Sequence, residues 1–306
     1  MNCKQNIFGF LNINKPPNCT SHDVIAMLRK SLGIKKIGHS GTLDPFASGV
    51  LVVGINDATR LFEYLPQDKV YIAEIRFGIC TDTDDITGNV LYKSDIIPSL
   101  DDVQKKAASF VGKINQKPPI FSAIKIKGSR AYKLAREKEI TLDKMPEKEV
   151  EIYSIEILSY DLESECPGTC LRLKIHCSGG TYIRSLARDL GYKLNTYATL
   201  SNLRRVNVGN MFIDEESIDP KLIDKTTLSK YLISPLKALS FPTINLSPNQ
   251  IEDITVGRAL QIDKKYLKSF NDKVQLLDNN NTLLAIGSLT DSCIIKPEKV
   301  FIKSGK

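Results

Sequence analysis

The stretch Gly38-His39-Ser40-Gly41-Thr42-Leu43-Asp44-Pro45-Phe46-Ala47-Ser48-Gly49 concentrates the side chains of this chain best suited to chemistry. It is a glycine-rich polar loop between a predicted helix and a predicted buried strand, the kind of place where a scaffold presents reactive groups. It is not a phosphate-binding Walker loop, because it lacks the closing Gly-Lys-Ser/Thr. Nor is it a nucleophile elbow, since neither Ser40 nor Ser48 has the Gly-x-Ser-x-Gly frame. From the residues alone, Asp44 before Pro45 is either a reactive carboxylate or a turn residue accepting backbone hydrogen bonds.

Regular elements must position this loop. Phe8 to Ile13 alternates as a strand, and Lys15-Pro16-Pro17-Asn18 forces a turn because proline cannot continue pairing. A helix follows, capped by Thr20 or Ser21, with Val24, Leu28 and Leu32 on one face and Gly33 at its end. Gly49 to Ile55 reads as a buried strand, Asp57 to Leu65 as a short amphipathic helix, and Val70 to Phe77 as a strand with Tyr71, Ala73, Ile75 and Phe77 on one face. Helices near Asp101 to Val111 and Arg130 to Lys138, and strands at Val150 to Ile157 and Leu171 to Cys177, continue the mixture. Thr181 is placed to cap a helix that carries Arg184 in its first turn and turns Ile183, Leu186 and Leu190 to the core. Irregular connections between strands predict an α+β domain on a mostly antiparallel mixed sheet flanked by helices. The texture changes near residue 235, which divides the chain into 1–234 and a β-rich module over 235–306. In that module Lys273 to Leu277, Leu283 to Leu289 and Lys299 to Ile302 read as strands, with Asn279-Asn280-Asn281 as a turn.

Composition sets the class. The 306 residues are 42% hydrophobic, enough for a real core. No apolar run approaches the roughly 20 residues of a membrane span, and MNCKQNIFGF lacks the pattern of a secretion signal, so the expected compartment is the cytoplasm. Seven cysteines at irregular spacing do not describe a disulfide framework. Cys166, Cys170, His176 and Cys177 form the one local cluster that metal ligation would need; the alternative is a turn at Cys166-Pro167-Gly168-Thr169 leading into a strand. The net charge of +7 is uneven. Lys113, Lys117, Lys125, Lys127, Arg130, Lys133, Arg136 and Lys138 face the single acid Glu137, which is either a solvated face or a surface for a phosphate backbone.

The string GHSGTLDPFASGVL resembles the signature of the TruB-type pseudouridine synthases, in which the aspartate of Leu-Asp-Pro is the nucleophile. Matches continue in order. Gly9-Phe10-Leu11 through Lys15-Pro16 and Thr20-Ser21 resembles the family's first motif, with Asn18 where glycine is usual; asparagine is the residue that best replaces glycine at positive φ. Asp68-Lys69-Val70-Tyr71 resembles the segment supplying the active-site tyrosine. Pro118-Pro119, Ser122-Ala123-Ile124-Lys125, Gly128, Arg130-Ala131-Tyr132 and Ala135-Arg136 resemble a further block that coincides with the basic run. His176 to Leu186 resembles the motif with the second tyrosine and the catalytic arginine, with Gly179 where many members carry lysine. Leu203-Arg204-Arg205 matches the last strand motif, and Leu284 to Gly287 and Pro297 to Phe301 resemble a PUA-like module.

The resemblance implies a pseudouridine-synthase fold and a cofactor-free, metal-free isomerisation of a uridine in the T-arm of tRNA, at position 55. It assigns Asp44 as nucleophile, Arg184 as its cationic partner and Tyr71 as the aromatic platform for the target base. His39 is assigned to fill the gap left by the flipped base, and Tyr182 and Leu203 to complete the uracil pocket, supported by Lys15 and Pro16. A carboxylate in a closed pocket tends to protonate, which a fixed guanidinium opposes. The implied partner is tRNA, with no membrane, no obligate protein partner and a monomeric state. Alternatives are a subunit of an RNA-guided pseudouridylase, a mainly tRNA-binding or tRNA-folding protein, and a metal-dependent hydrolase built on the cysteine cluster.

Overall fold

The structure is a computed structural model that describes residues 7–126, 128–137, 139–161, 169–262, 272–290 and 292–302. Its centre is a nine-stranded sheet. In spatial order the main path runs Gly9–Lys15, Ser48–Ile55, Ala198–Val208, Lys69–Phe77, Cys170–Cys177, Lys148–Asp161 and Gly112–Gln116. Ile37–His39 and Phe212–Ile213 pair onto its flanks. All neighbours are antiparallel except Ser48–Ile55 with Ala198–Val208. The chain is thus an α+β protein on a mixed, mostly antiparallel sheet.

Period-two patterning sets which way each side chain points. Along Lys69–Phe77 every odd-numbered residue is buried and every even-numbered one half-exposed. Tyr71, Ala73, Ile75 and Phe77 therefore join Leu173, Ile175, Leu203 and the helix Ile183–Lys193 in one core. The helix Ser21–Leu32 packs Val24, Ile25, Leu28 and Leu32 against Leu51, Val53 and Ile55 at the other end of the sheet. Its N-cap is Thr20, in a reciprocal capping box with Asp23, and Gly33 ends it at φ 68°. Asn18 stands at φ 62°, in the left-handed region its position demanded.

The short amphipathic helix expected over Asp57 to Leu65 is a 3₁₀ helix, Asn56–Tyr64. Two expected elements differ. The helix bearing Arg184 begins at Ile183 with Tyr182 as N-cap, and Thr181 does not cap it: the Thr181 hydroxyl donates to Ser178 O at 2.9 Å, while the Tyr182 amide is taken by Gln116 Oε1 at 2.8 Å. The last strand is Ile294–Val300, earlier than Lys299 to Ile302.

A second sheet of five strands orders Thr243–Asn245, Lys273–Leu277, Leu283–Leu289, Ile294–Val300 and Leu260–Gln261 around Ile244, Leu246, Val274, Leu276 and Ile295. It does not hang free. Leu277, Leu283 and Ile286 share a core with Phe10, Val52 and Phe212 of the first sheet, and Tyr64 Oη donates to Glu298 at 2.9 Å across the junction. Among the described residues no helix is long and apolar enough to cross a membrane.

Candidate active site

The Gly38–Gly49 loop crosses the end of the first sheet, and four anchors fix its path. Ser40 N donates to Val52 O at 2.9 Å. Arg205 Nη2 donates to Gly41 O at 3.1 Å. Ser21, first residue of its helix, exchanges hydrogen bonds with both backbone groups of Leu43, at 2.9 and 3.2 Å. Lys15 Nζ donates to Pro45 O at 3.2 Å, to Cys19 O at 2.6 Å and to Pro16 O at 2.9 Å. An ammonium has three protons, so Lys15, 0% exposed, has none left for a ligand. It holds the Asp44-Pro45 turn from below; Pro16 is exposed at the rim.

Asp44 meets Arg184 across this scaffold. Nη2 donates to Oδ1 at 3.0 Å, and Nε stands 2.9 Å from Oδ2, an ion-pair contact whose N–H lies off the hydrogen-bond line. The two side chains differ in access: Arg184 is 5% exposed and Asp44 32%. The guanidinium is thus embedded and the carboxylate reaches an open side. Three more groups hold Arg184 in place: Thr83 O at 2.9 Å, Phe121 O at 3.1 Å and Asp85 Oδ2 at 3.5 Å. One turn on, Arg188 repeats the arrangement with Asp84 at 2.7 Å, Asp189 at 2.9 Å and Lys117 O at 2.9 Å.

Apolar and aromatic groups surround the pair. Tyr71, Leu203, Leu43, Ala47 and Ile183 form one contiguous cluster beside Asp44. Burial pushes the Tyr71 hydroxyl above its ordinary range, with the neighbouring Arg205 guanidinium partly opposing. Tyr182, half-buried at the start of the Arg184 helix, is pushed up for the same reason. His39 lies where its strand joins the loop; its buried Nδ1 has no hydrogen-bond partner, and burial together with Arg205 lowers its basicity, so the ring is neutral at pH 7. The structure therefore brings Asp44, Arg184, Tyr71, Tyr182, Leu203, His39 and Lys15 to one end of the first sheet.

The cysteine cluster is different. His176 and Cys177 are successive residues of an extended strand and point to opposite faces. His176 Nε2 is 3.0 Å from Asp68 Oδ2 with Tyr153 against its ring, whereas Cys177 is buried on the other side and burial pushes its thiol up to about 11. They cannot ligate the same ion. Cys166, Pro167 and Gly168 of the expected turn, and Lys127 and Lys138 of the basic run, lie outside the described residues.

The N-terminal domain model of the TruB family of pseudouridylate synthases matches residues 29–183, the span from the first helix to the start of the Arg184 helix. The tRNA pseudouridine synthase B of Microcystis aeruginosa is 43% identical over 261 residues, 84% of this chain and 85% of that protein. That of Acaryochloris marina is 37% identical over 299 residues, 96% and 99% of the two chains. The chain belongs to the TruB family of pseudouridylate synthases. Solved structures agree on the fold: a Cbf5-Nop10-Gar1 complex superposes with a TM-score of 0.68 at 26% identity, covering 96% of this chain and 85% of the other. An H/ACA RNP bound to a substrate RNA containing 2′-deoxyuridine gives 0.67 at 25% identity, with the same coverage. The second sheet of this chain is its small C-terminal, β-rich, PUA-like module.

Sequence reasoning about this TruB-family enzyme assigned no role to Asp84, Asp85, Arg188 or Lys69. The acidic turn Thr81-Asp82-Thr83-Asp84-Asp85 directly after a strand was the available signal for the first two. Lys69 is 8% exposed beside Arg205, and its ammonium donates to Gln67 O at 2.8 Å. Burial pushes it from 10.5 down to about 8. Below pH 8 both folded and unfolded chains carry this proton, and the cost of burying the charge is fully present. Between pH 8 and 10.5 the unfolded chain binds more protons, so the parent gains stability as pH rises. Lys69→Met is therefore expected to be more stable than the parent at pH 7 by about 1–3 kcal/mol, an advantage that shrinks as pH rises toward 10.5. Paired thermal melts of the two proteins from pH 7 to 10 measure this, and a variant less stable at pH 7 would show that the bond to Gln67 outweighs desolvation.

Proposed function

We propose that this enzyme converts a uridine of the tRNA T-arm, at position 55, to pseudouridine, with Asp44 as nucleophile and the target base flipped out of the RNA. The observation that carries the reading is the Asp44–Arg184 contact: a partly open carboxylate gripped from its buried side by a guanidinium, next to an aromatic ring. The tRNA substrate rests on the names of the relatives, each a tRNA pseudouridine synthase B.

The reaction breaks the N1–C1′ bond, rotates the uracil and joins C5 to C1′, while the C5 proton leaves and N1 gains one. It involves no net redox change and needs no cofactor. A carboxylate can open it by attack on C6 or on C1′. In this reading Tyr71 stacks on the extruded base, stacking being worth ~1–3 kcal/mol, and Leu203 and Tyr182 line the uracil. Lys15 and Pro16 brace the turn below. Extrusion costs a few kcal/mol, and the neutral ring of His39 takes the vacated place in the stack. The basic surface from Lys113 to Arg136 meets the phosphate backbone, and residues 235–306 act as a PUA-like RNA-binding module beside a catalytic domain over 1–234. The enzyme works in the cytoplasm as a monomer, without a protein partner.

A second reading follows from the Cbf5 neighbours, which were solved with partner proteins: a catalytic subunit that needs such partners. One experiment separates the two. Purified chain and an unmodified T-arm minihelix, with nothing else added, are expected to give pseudouridine at a single mapped uridine. RNA binding without product would leave the partner-dependent or RNA-folding readings standing instead.

A further inference from the structure

Arg205 is among the largest fully buried side chains, at 1% exposure, and among the described residues no carboxylate lies within ion-pair distance of it. Burying a guanidinium without a counter-charge is costly unless its protons are well placed. Here Nε donates to Val50 O at 2.7 Å and Nη2 to Gly41 O at 3.1 Å. A methionine or leucine would fill this volume without the charge, so packing alone does not account for the residue.

Its place in the sheet does. The Arg205 backbone pairs with Tyr71 on one side and with Gly49, where the nucleophile loop ends, on the other. Gly49 sits at φ 98°, and a Cβ there would lie 2.2 Å from Arg205 O, so this approach requires glycine. Alternation sends the neighbouring Arg204 to the opposite face, where it pairs with Asp214 at 2.7 Å, and leaves Arg205 under the loop. Its charge is felt by Lys15, His39, Lys69 and Tyr71, all of which border the loop. Gly41, exposed at φ 112°, lies midway between His39 and Asp44, and its carbonyl is fixed by Arg205.

We propose that Arg205 is a positioning residue: by holding the Gly41 carbonyl while its own backbone holds Tyr71, it sets where Asp44 and His39 stand relative to the aromatic platform. Its removal slows the chemical step and leaves RNA affinity unchanged. This rests on Asp44 being the nucleophile.

The test uses the full chain, a T-arm minihelix and saturating enzyme in single turnover, with RNA affinity and the thermal midpoint measured alongside. Arg205→Met keeps the volume and removes the donors. A misplacement of about 1 Å costs roughly 100-fold in rate, which is the expected loss, with Kd within about threefold of the parent. Arg205→Lys, which keeps the charge and reaches one carbonyl, is expected to recover about tenfold of it. In a cycle with Gly41→Ala, the second substitution is expected to cost less in the Arg205→Met background than in the parent. A single-turnover rate for Arg205→Met within about threefold of the parent, a loss confined to Kd, or additive effects in the cycle each overturn the proposal. If Arg205→Met does not fold cooperatively, Arg205→Lys decides: the parent's rate overturns the proposal, and a lower rate at unchanged Kd supports it. Asp44→Asn in the same assay separates the two readings, since turnover there defeats the nucleophile assignment, whereas an inactive Asp44→Asn beside a normal Arg205→Met defeats only this inference.

Discussion

Asp44→Asn is expected to eliminate measurable pseudouridine formation, a loss of at least about 10⁴-fold, while RNA affinity stays within about threefold of the parent. The amide has the carboxylate's shape and keeps one acceptor for Arg184 Nη2, which now reaches Oδ1 at 3.0 Å. The loop's own anchors at Gly41, Leu43 and Pro45 are backbone groups that the change does not touch. What is lost is the attacking oxygen, because an amide is not a nucleophile toward C6 or C1′. The amide nitrogen also meets Arg184 Nε across the contact now spanned at 2.9 Å, donor against donor. That adds a small cost in stability and none in RNA affinity. Hydrogen release from a uridine labelled at C5 reads the reaction directly, since C5 must shed its hydrogen to bond C1′. Release within tenfold of the parent rate would remove Asp44 from the role of nucleophile.

The parts of this molecule legible in the sequence are those whose cause is local. Thr20 and Gly33 bound the first helix because a cap and a left-handed stop act within one turn. Lys69–Phe77 follows from alternation, and Lys273–Leu277 and Leu283–Leu289 follow from short apolar runs on either side of an asparagine-rich turn. Elements settled by distant partners were misread. Thr181 looks like a cap, but Gln116, 66 residues away, satisfies the Tyr182 amide and carbonyl, and the helix starts one residue later. The last strand, expected from Lys299, starts at Ile294 and takes in Pro297, which sits opposite Gly287 at a register shift where proline is tolerated. The site divides in the same way. Asp44 stands out from the glycine-rich loop, and the motif resemblance pointed to Arg184. No periodicity connects Arg184 to Asp85 or Arg188 to Asp84 across about a hundred residues, and nothing local separates Lys15 as a brace from Lys15 as a ligand-binding cation.

That acidic turn makes the second large effect, at Arg184, more than the loss of one charge. The guanidinium serves five oxygens from one buried position: Asp44 Oδ1, Thr83 O and Phe121 O as hydrogen-bond acceptors, and Asp44 Oδ2 at 2.9 Å and Asp85 Oδ2 at 3.5 Å as ion-pair contacts. Lysine keeps the charge but concentrates its protons at a single point, so it cannot span acceptors arranged around a planar fork. Arg184→Lys is expected to lower the single-turnover rate about 10³-fold, the carboxylate losing its fixed orientation, and to lower the thermal midpoint by a few degrees. Arg184→Met should be the less stable of the two, because it leaves Asp85, 4% exposed, facing Asp44 with no cation between them. Stranding buried charge in this way costs roughly 3–5 kcal/mol. Neutralising the partner should then restore part of that stability without restoring catalysis: Arg184→Met with Asp85→Asn is expected to melt above Arg184→Met alone and to remain as slow. Thermal melts and single-turnover rates on the three proteins decide it. A fully active Arg184→Lys would mean that a point charge suffices and the fork is incidental, whereas a double variant no more stable than Arg184→Met would remove Asp85 from the electrostatics of the site.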